Sequence, residues 1–373
     1  MSTPTALHGA DLGPVLGIET SCDETACAIL APDGTILAER LLSQVAEHQV
    51  FQGVVPEIAA RAHLAHLPGM VAEALHASGI RAEALGAVAA TVGPGLIGGL
   101  LVGSGFAKGL SLATGRQFVA VNHLAAHALV ARLPGIAATA PAFPYLLLLV
   151  SGGHTLLARV EGIDRFTLLG ETIDDAAGEC FDKCARALGL GWPGGPALER
   201  LAAGGTARGV KLPVPMRGRP GCDFSFSGLK TAVALLAAKG GCRREDLAAA
   251  TQDAIAAALA DRAANAMAAS ADCRVLVVAG GVAANGAVRA ALDAAATRAG
   301  FALVAPPVRL CTDNAVMVAW AAIERLRAGI ASDALDVGEN PRLELAARAS
   351  GLSARTGAAA GAASQARGAG AGA

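Results

Sequence analysis

Two short stretches of this chain, about a third of its length apart, read as the same phrase. From Val15 the sequence runs VLGIET, then SCDET, then ACAIL, and between Tyr145 and Val160 it runs YLLLLV, SGGHT, LLARV. Each is a pair of apolar runs split by a tight, hydroxyl-rich polar segment, which is the pattern of a β-hairpin. A chain that carries such a unit twice is constrained to a duplicated architecture, each copy founding its own sheet. The 373 residues are also more than one compact core usually holds. Helical patterns follow each copy, over Pro56 to His76 and Ile173 to Leu190, and Leu247 to Ser270 reads as a further long, Ala-rich helix. A third glycine turn follows VLVVAGG at Val275 to Gly281 and opens a helix over Ala284 to Arg298. Strand, glycine turn and helix together aim backbone N–H groups at a phosphate. The predicted organisation is α/β with two lobes across a central cleft. Residues 1–13 form a flexible leader and 14–140 the first lobe, with helices in 313–345 packing back on it. Residues 141–312 form the second lobe, and 350–373 a disordered Ala/Gly tail.

Composition narrows the function classes. Hydrophobic residues make up 53% and charged residues 16%, so a sizeable core is available. A net charge of -1 gives no protein-wide field to draw in a polyanion, and aromatics at 3% leave few rings for stacking on bases. A nucleic-acid partner must then be held by a local patch or through another protein. The eight cysteines, at 22, 27, 180, 184, 222, 242, 273 and 311, show no zinc-finger spacing, and reduced thiols in a cytoplasmic protein are expected. Leu85 to Ala107 carries no charge, but Pro94 and seven glycines interrupt it; it reads as buried strand, glycine loop and helix rather than a membrane span.

Several constellations carry possible chemistry. In NHLAAH (122–127), His123 and His127 stand at i and i+4, on one helical face, close enough to share a metal. Asp313, in the polar break CTDN (311–314), offers a carboxylate as third ligand. Two imidazoles and one carboxylate with open positions suit Fe(II) or a catalytic zinc. His63 and His66 form a second pair with no third ligand nearby, and read as structural. A metallopeptidase is disfavoured because Leu124 stands where the general-base Glu of HExxH would be. The Ser151-Gly152-Gly153-His154-Thr155 turn lets backbone N–H groups approach a ligand closely, or is a plain hairpin connection. Asp175, Gly178, Glu179 and Asp182 would share a helical face, and Asn285 after the 280–284 turn would cap a helix or bind a ligand. Lys211, Arg217, Arg219 and Lys230, followed by Arg243 and Arg244, form the densest basic stretch.

The hairpin-led two-lobe layout is similar to the actin, hexokinase and acetate kinase (ASKHA) superfamily with its RNase H-like domains. GIETSCDET (17–25), NHLAAH (122–127), LVSGGHT (149–155), IDDAAGECFDK (173–183), WPGGP (192–196), DFSFSGLKT (223–231), AGGVAAN (279–285) and CTDN (311–314), in this order, resemble the bacterial tRNA N6-adenosine threonylcarbamoyltransferase (TsaD/YgjD) family from about Val15 to Arg342. The resemblance implies transfer of a threonylcarbamoyl group from threonylcarbamoyl-AMP to N6 of adenosine 37 in tRNAs that read codons beginning with adenine. It implies one divalent metal, Fe2+ favoured and Zn2+ possible, on His123, His127 and Asp313. It places the adenylate against Leu149, Val150, Ser151, Gly152, Gly153, Asp182, Gly195 and Asn285, with Asp23 and Glu24 facing the cleft, and one or the other of these two acids is the candidate catalytic residue to accept the N6 proton. Implied partners are tRNA, a TsaB-type paralogue, a TsaE-type ATPase and an upstream TsaC-type synthase, with no membrane. A paired apolar surface on the first lobe, around the Pro56 to His76 helix, is a docking face for the paralogue. A small-molecule phosphotransferase of the same superfamily and a non-catalytic nucleotide-binding regulator are the alternatives.

Overall fold

The computed structural model describes residues 12–345; the expected tail from 350 lies outside the described residues, as does the expected leader except for residues 12 and 13. Leu12 is already buried in the first lobe's core. The apolar hairpin β1 (Val15–Glu19) and β2 (Glu24–Leu30) is extended by β3 (Ile36–Ser43), then by α1 (Val45–Gln49), α2 (Pro56–Ser78), β4 (Ala87–Gly93), α3 (Ile97–Thr114), β5 (Gln117–Asn122) and α4 (His123–Leu129). The strands form one sheet in the order β3-β2-β1-β4-β5. The charge-free stretch 85–107 thus divides into a strand, a glycine loop and the start of α3. That helix is long and apolar enough, by length and composition, to cross a membrane. Its small residues sit against the first lobe: a Cβ on Gly103 would meet the Thr20 hydroxyl at 2.1 Å.

The second hairpin repeats the plan. β6 (Tyr145–Val150), β7 (Thr155–Gly162) and β8 (Arg165–Glu171) lead to α5 (Ala177–Ala187), α6 (Gly194–Ala202), α7 (Ser227–Lys239), α8 (Arg244–Ala269), β9 (Val275–Ala279), α9 (Gly286–Ala299) and β10 (Ala302–Val304). The sheet order is β10-β9-β6-β7-β8, the first sheet's order read from the other end. In both sheets the hairpin strand that leads, β1 or β6, pairs antiparallel with its partner and parallel with a later strand, β4 or β9. The duplication expected from the hairpin repeat is therefore present at the level of topology.

The chain then passes α10 (Val308–Cys311) and returns through α11 (Ala315–Arg327) to the first lobe. Ala315, Val316, Ala319 and Trp320 bury against Val15, Ala26, Ala28 and Ala89, covering one face of the first sheet, while Leu67, Val71 and Ala74 of α2 and Ala107 of α3 cover the other. Gly17 permits the close approach on the α11 side, where a Cβ would lie 2.5 Å from the Ala315 carbonyl oxygen and the Ala319 nitrogen. Past α11 the described chain runs on mostly without helix to 345, with Asn340 donating its N–H to Val92. Helix α4 is wedged between the lobes. Its Leu124, Ala125 and Ala128 pack on Leu147 and Leu149 of the second sheet, and its Ala126 and Leu129 pack with α11. Arg325 of α11 ties the same junction by pairing with Asp164 in the β7–β8 turn at 3.1 Å and with Asp333 at 3.0 Å.

Two sequence expectations change in detail. The second-lobe helix begins at Ala177 and not at Ile173, because Ile173 donates its N–H to Phe224 and Thr172 bridges the same residue, which keeps this segment extended. The final helix of that lobe begins at Gly286, with Asn285 as its N-cap.

Candidate active site

Asn122 ends β5 and starts α4: its side-chain oxygen accepts the N–H groups of Leu124 at 2.8 Å and Ala125 at 3.2 Å. This is the capping that Asn supplies to the free N–H groups of a first turn. It sets His123 at the helix start and His127 one turn on, with ring centroids 4.7 Å apart. Asp313 arrives from 186 positions away, just before α11, whose N-cap Asn314 accepts the Met317 N–H at 2.9 Å. Its Oδ1 lies 3.1 Å from His127 Nε2 and 3.4 Å from His123 Nε2. One donor atom from each of the three residues falls within 4.8 Å of the others, as one cation would need.

The donor set fits a metal on a second count. His127 Nδ1 is buried without a hydrogen-bond partner among the described residues, so the polar interactions of that ring all lie on the Nε2 side, toward Asp313. Electrostatics agree. Burial would raise Asp313, but the charges and hydrogen bonds of His123 and His127 outweigh it and hold its carboxyl well below the usual carboxylate range. Burial would lower His123, but Asp313 and Glu19 on either side carry it well above the usual imidazole range. Burial prevails at His127, which is lowered.

The β6–β7 turn closes on itself: Ser151 donates its N–H to the His154 carbonyl at 2.8 Å, and the Ser151 hydroxyl accepts the His154 N–H at 3.0 Å. No atom lies within 4 Å of where a Cβ would sit on Gly152 or Gly153, so bare backbone faces open space there. Leu149 and Val150 lie in β6 with their side chains buried. His154 is pushed down to about 4, by burial first and then by the His123 charge, which places it within electrostatic reach of the metal ligands. The 280–285 turn is pressed onto the same strand end. Gly280 has φ +92°, a conformation that favours glycine, and a Cβ there would meet the Val150 carbonyl oxygen at 2.3 Å. Its N–H goes to the Cys311 carbonyl at 3.0 Å, two residues before Asp313. The glycine turns and the His123, His127 and Asp313 cluster are therefore parts of one construction.

Asp182, Gly195 and Asn285 form a second cluster in the second lobe. Asp182 on α5 accepts the N–H groups of Gly194 at 2.7 Å and Gly195 at 3.3 Å, and burial raises its carboxyl above the usual value. Glu199 on α6 accepts the Gly286 N–H at 2.8 Å, linking that helix to Asn285. Asn285 serves as a cap, its oxygen accepting the Val288 N–H at 3.0 Å while its amide donates to Gln252 at 2.8 Å. Asp23 and Glu24 sit half-buried in the first hairpin turn and at the start of β2. Burial, then the charges of Asp313 and Asp23, hold Glu24 well above the usual carboxylate range.

The structure redistributes other candidates. His63 is buried, its Nδ1 2.7 Å from the Thr25 hydroxyl and its Nε2 3.0 Å from the Cys22 carbonyl, and His66 is exposed, so that pair shares no site. Asp174 and Asp175 precede α5 instead of lying on its face. Asp174 takes the N–H groups of Phe226 and Ser227 at the start of α7, and Asp175 pairs with Lys183 at 2.8 Å and Lys230 at 2.9 Å. Lys230 is thus engaged, and Arg244 donates to the Leu188 carbonyl, while Lys211, Arg217, Arg219 and Arg243 stand exposed in the basic stretch. Sequence reasoning missed Glu19, whose buried carboxylate backs His123 at 3.1 Å. The available signal was a charged residue closing an otherwise apolar strand.

The family model described as TsaD, tRNA N6-adenosine threonylcarbamoyltransferase, matches residues 35–320. The chain is 58% identical over 347 residues to the tRNA N6-adenosine threonylcarbamoyltransferase of Granulibacter bethesdensis, covering 89% of this chain and 94% of that protein. It is 55% identical over 358 residues to the protein of the same name from Gluconobacter oxydans, covering 93% and 98%. Among solved structures, HypF from T. kodakarensis superposes with a TM-score of 0.57 at 14% identity over 86% of this chain and 48% of that one. Component A of the (R)-2-hydroxyglutaryl-CoA dehydratase of Acidaminococcus fermentans superposes with 0.50 at 18% identity over 84% and 98%. These two likenesses concern the fold, which is the two-lobed ASKHA architecture.

Proposed function

The chain belongs to the tRNA N6-adenosine threonylcarbamoyltransferase family and is a transferase acting on tRNA, and from that premise we propose that it moves the threonylcarbamoyl group of threonylcarbamoyl-AMP onto N6 of adenosine 37, in tRNAs reading codons that begin with adenine. The observation that carries this reading is the joining of the His123, His127 and Asp313 cluster to the two glycine turns through the Gly280 to Cys311 hydrogen bond. A site of this kind takes a phosphate-bearing, activated acyl donor beside a cation. The exposed backbone of Ser151 to Gly153 and the N-terminus of α9 behind Asn285 suit the AMP portion.

In the reaction the N6 lone pair attacks the carbamoyl carbon, a C–N bond forms, the C–O bond to the phosphate breaks, and AMP leaves with the bonding pair. The adenine amine is a weak nucleophile, so much of the rate must come from holding the two reactants in line. The N6 proton needs an acceptor facing the cleft, and Asp23 and Glu24 are the candidates. Burial and the neighbouring carboxylates hold Glu24 above the ordinary carboxylate range. His123, His127 and Asp313 would hold a divalent ion, Fe2+ in preference to Zn2+, which when bound would supply Lewis-acid polarisation of a carbonyl or phosphoryl oxygen.

The exposed Lys211, Arg217 and Arg219 would meet the tRNA backbone. With so little basic surface, we assign part of tRNA binding to partner proteins: a TsaB-type paralogue and a TsaE-type ATPase, with a TsaC-type synthase delivering the adenylate in the cytoplasm. The exposed Leu64, Ile97, Leu101 and Leu112 on α2 and α3 give the paralogue an apolar docking face. The test is nucleoside mass spectrometry of unmodified tRNA incubated with this chain, the three partners, threonine, bicarbonate and ATP. Threonylcarbamoyladenosine that requires this chain and vanishes with Asp313→Ala supports the reading. Full product yield from His123→Ala or Asp313→Ala would refute the metal's part in it.

A further inference from the structure

Glu19 closes β1, in which every residue is buried, and its side chain is wholly removed from solvent. A carboxylate in such a place is costly unless its oxygens are fully engaged. Here they are. Oε1 accepts the Ser21 N–H at 2.6 Å, and Oε2 accepts the Thr91 hydroxyl at 2.5 Å and faces His123 Nδ1 at 3.1 Å. The Ser21 hydroxyl stands 3.2 Å from the same ring nitrogen. The opposite nitrogen of that ring, Nε2, is the one directed at Asp313. Donors from the hairpin turn and from β4 therefore fix the carboxylate, and the carboxylate fixes the imidazole. His127 has no such support, since its Nδ1 is buried and unpartnered among the described residues.

We propose that Glu19 is a positioning residue of the metal centre: by accepting the His123 Nδ1–H it holds the ring so that the Nε2 lone pair points at the cation. The inference rests on the metal-site reading above. A carboxylate behind a metal-bound histidine sets the tautomer and raises the basicity of the ligand, and loss of such a group typically weakens metal affinity about 10- to 100-fold. The asymmetry between the rings makes His123 the ligand oriented by a hydrogen bond at Nδ1, while His127 is held by burial alone on that side.

The experiment uses the full chain and Zn2+ as probe. Affinity is measured by competition with a chromophoric chelator for the wild type, Glu19→Gln, Thr91→Val and His123→Ala, and melting curves of the metal-free proteins are recorded alongside. Glu19→Gln should bind Zn2+ about 10- to 100-fold more weakly. Thr91→Val, which removes a different contact of the same carboxylate, should lose far less. Wild-type affinity in folded Glu19→Gln overturns the inference and leaves the metal site standing, whereas wild-type affinity in His123→Ala overturns both. Long-range 1H–15N spectra of the Zn2+-loaded wild type decide the matter even if Glu19→Gln does not fold. Metal on Nε2 with a proton on Nδ1 of His123 is the expected result, and metal on Nδ1 refutes the proposal.

Discussion

Replacing Gly17 by Ala should damage fold and metal site together. An added Cβ would sit 2.5 Å from both the Ala315 carbonyl oxygen and the Ala319 nitrogen, and 2.9 Å from the Ala319 Cβ. Ordinary contact begins near ~3.5 Å, so β1 and the first turn of α11 must separate by about 1 Å. All three obstacles belong to one helix and two are backbone atoms, so no rotamer change relieves them. Overpacking of this kind costs about 1–3 kcal/mol, and a backbone clash belongs at the upper end. At about 2–4 °C per kcal/mol for a folding unit the size of one lobe, melting should fall by roughly 5–10 °C. The site follows because Asp313 lies two residues before Ala315, and a ~1 Å displacement far exceeds the ~0.2 Å tolerance of a metal–ligand distance. Differential scanning calorimetry and Zn2+ competition would measure the two effects, with Gly109→Ala as the comparison. Gly109 is exposed on α3 with nothing within 4 Å of a new Cβ, and Ala there should stabilise by up to about 1 kcal/mol. A Gly17→Ala protein that melts with the wild type and binds Zn2+ equally would refute the reasoning.

Other expectations are simpler. Tyr145→Phe removes the hydroxyl that donates to the buried Ala128 carbonyl at 2.8 Å, and chemical denaturation should show a loss of about 1–3 kcal/mol with little change in Zn2+ affinity. Exhaustive chelation should abolish threonylcarbamoyl transfer, and Fe2+ or Zn2+ should restore it; transfer that survives in verified metal-free protein contradicts the proposed mechanism. Asp174 is depressed: burial acts to raise it, but hydrogen bonds from Ser225, Phe226 and Ser227 prevail. Its stabilisation is therefore present above the unfolded carboxyl's pKa and lost as pH falls through the lower folded value. Asp174→Asn should accordingly lose more melting temperature at pH 7 than in strong acid, and an equal loss at both would show that the charge is immaterial.

Those elements whose cause is local were legible in the sequence. The two hairpins follow from apolar runs around hydroxyl-rich turns, and the His123/His127 face follows from i, i+4 spacing. Asp313 could be nominated as a polar break before an apolar helix, but its approach to His123 and His127 is a tertiary contact across 186 positions that no local pattern reveals. The start of α5 was misplaced because Ile173 and Phe224 pair across 51 positions, a tertiary contact that overrides helical periodicity. Asp175 was placed on the helical face with Gly178, Glu179 and Asp182 for the same reason. Glu19 was passed over because one carboxylate at a strand end is ordinary in sequence, and its importance appears only when Ser21, Thr91 and His123 are seen around it.

The return of α11 to the first sheet also has a consequence during synthesis. One face of the N-terminal sheet is covered by Ala315 to Trp320, while the last strand of that sheet ends at Asn122. At ribosomal speeds of about 5–20 residues per second, some 10–40 s separate the emergence of that strand from the emergence of its cover. Throughout that interval the nascent chain displays a half-clothed sheet and two histidines without their aspartate. The second lobe has its own strands and helices in hand sooner, so the lobe made first is the lobe finished last. Messages truncated before codon 313 would yield chains with every strand of both sheets and no means of completing the metal site.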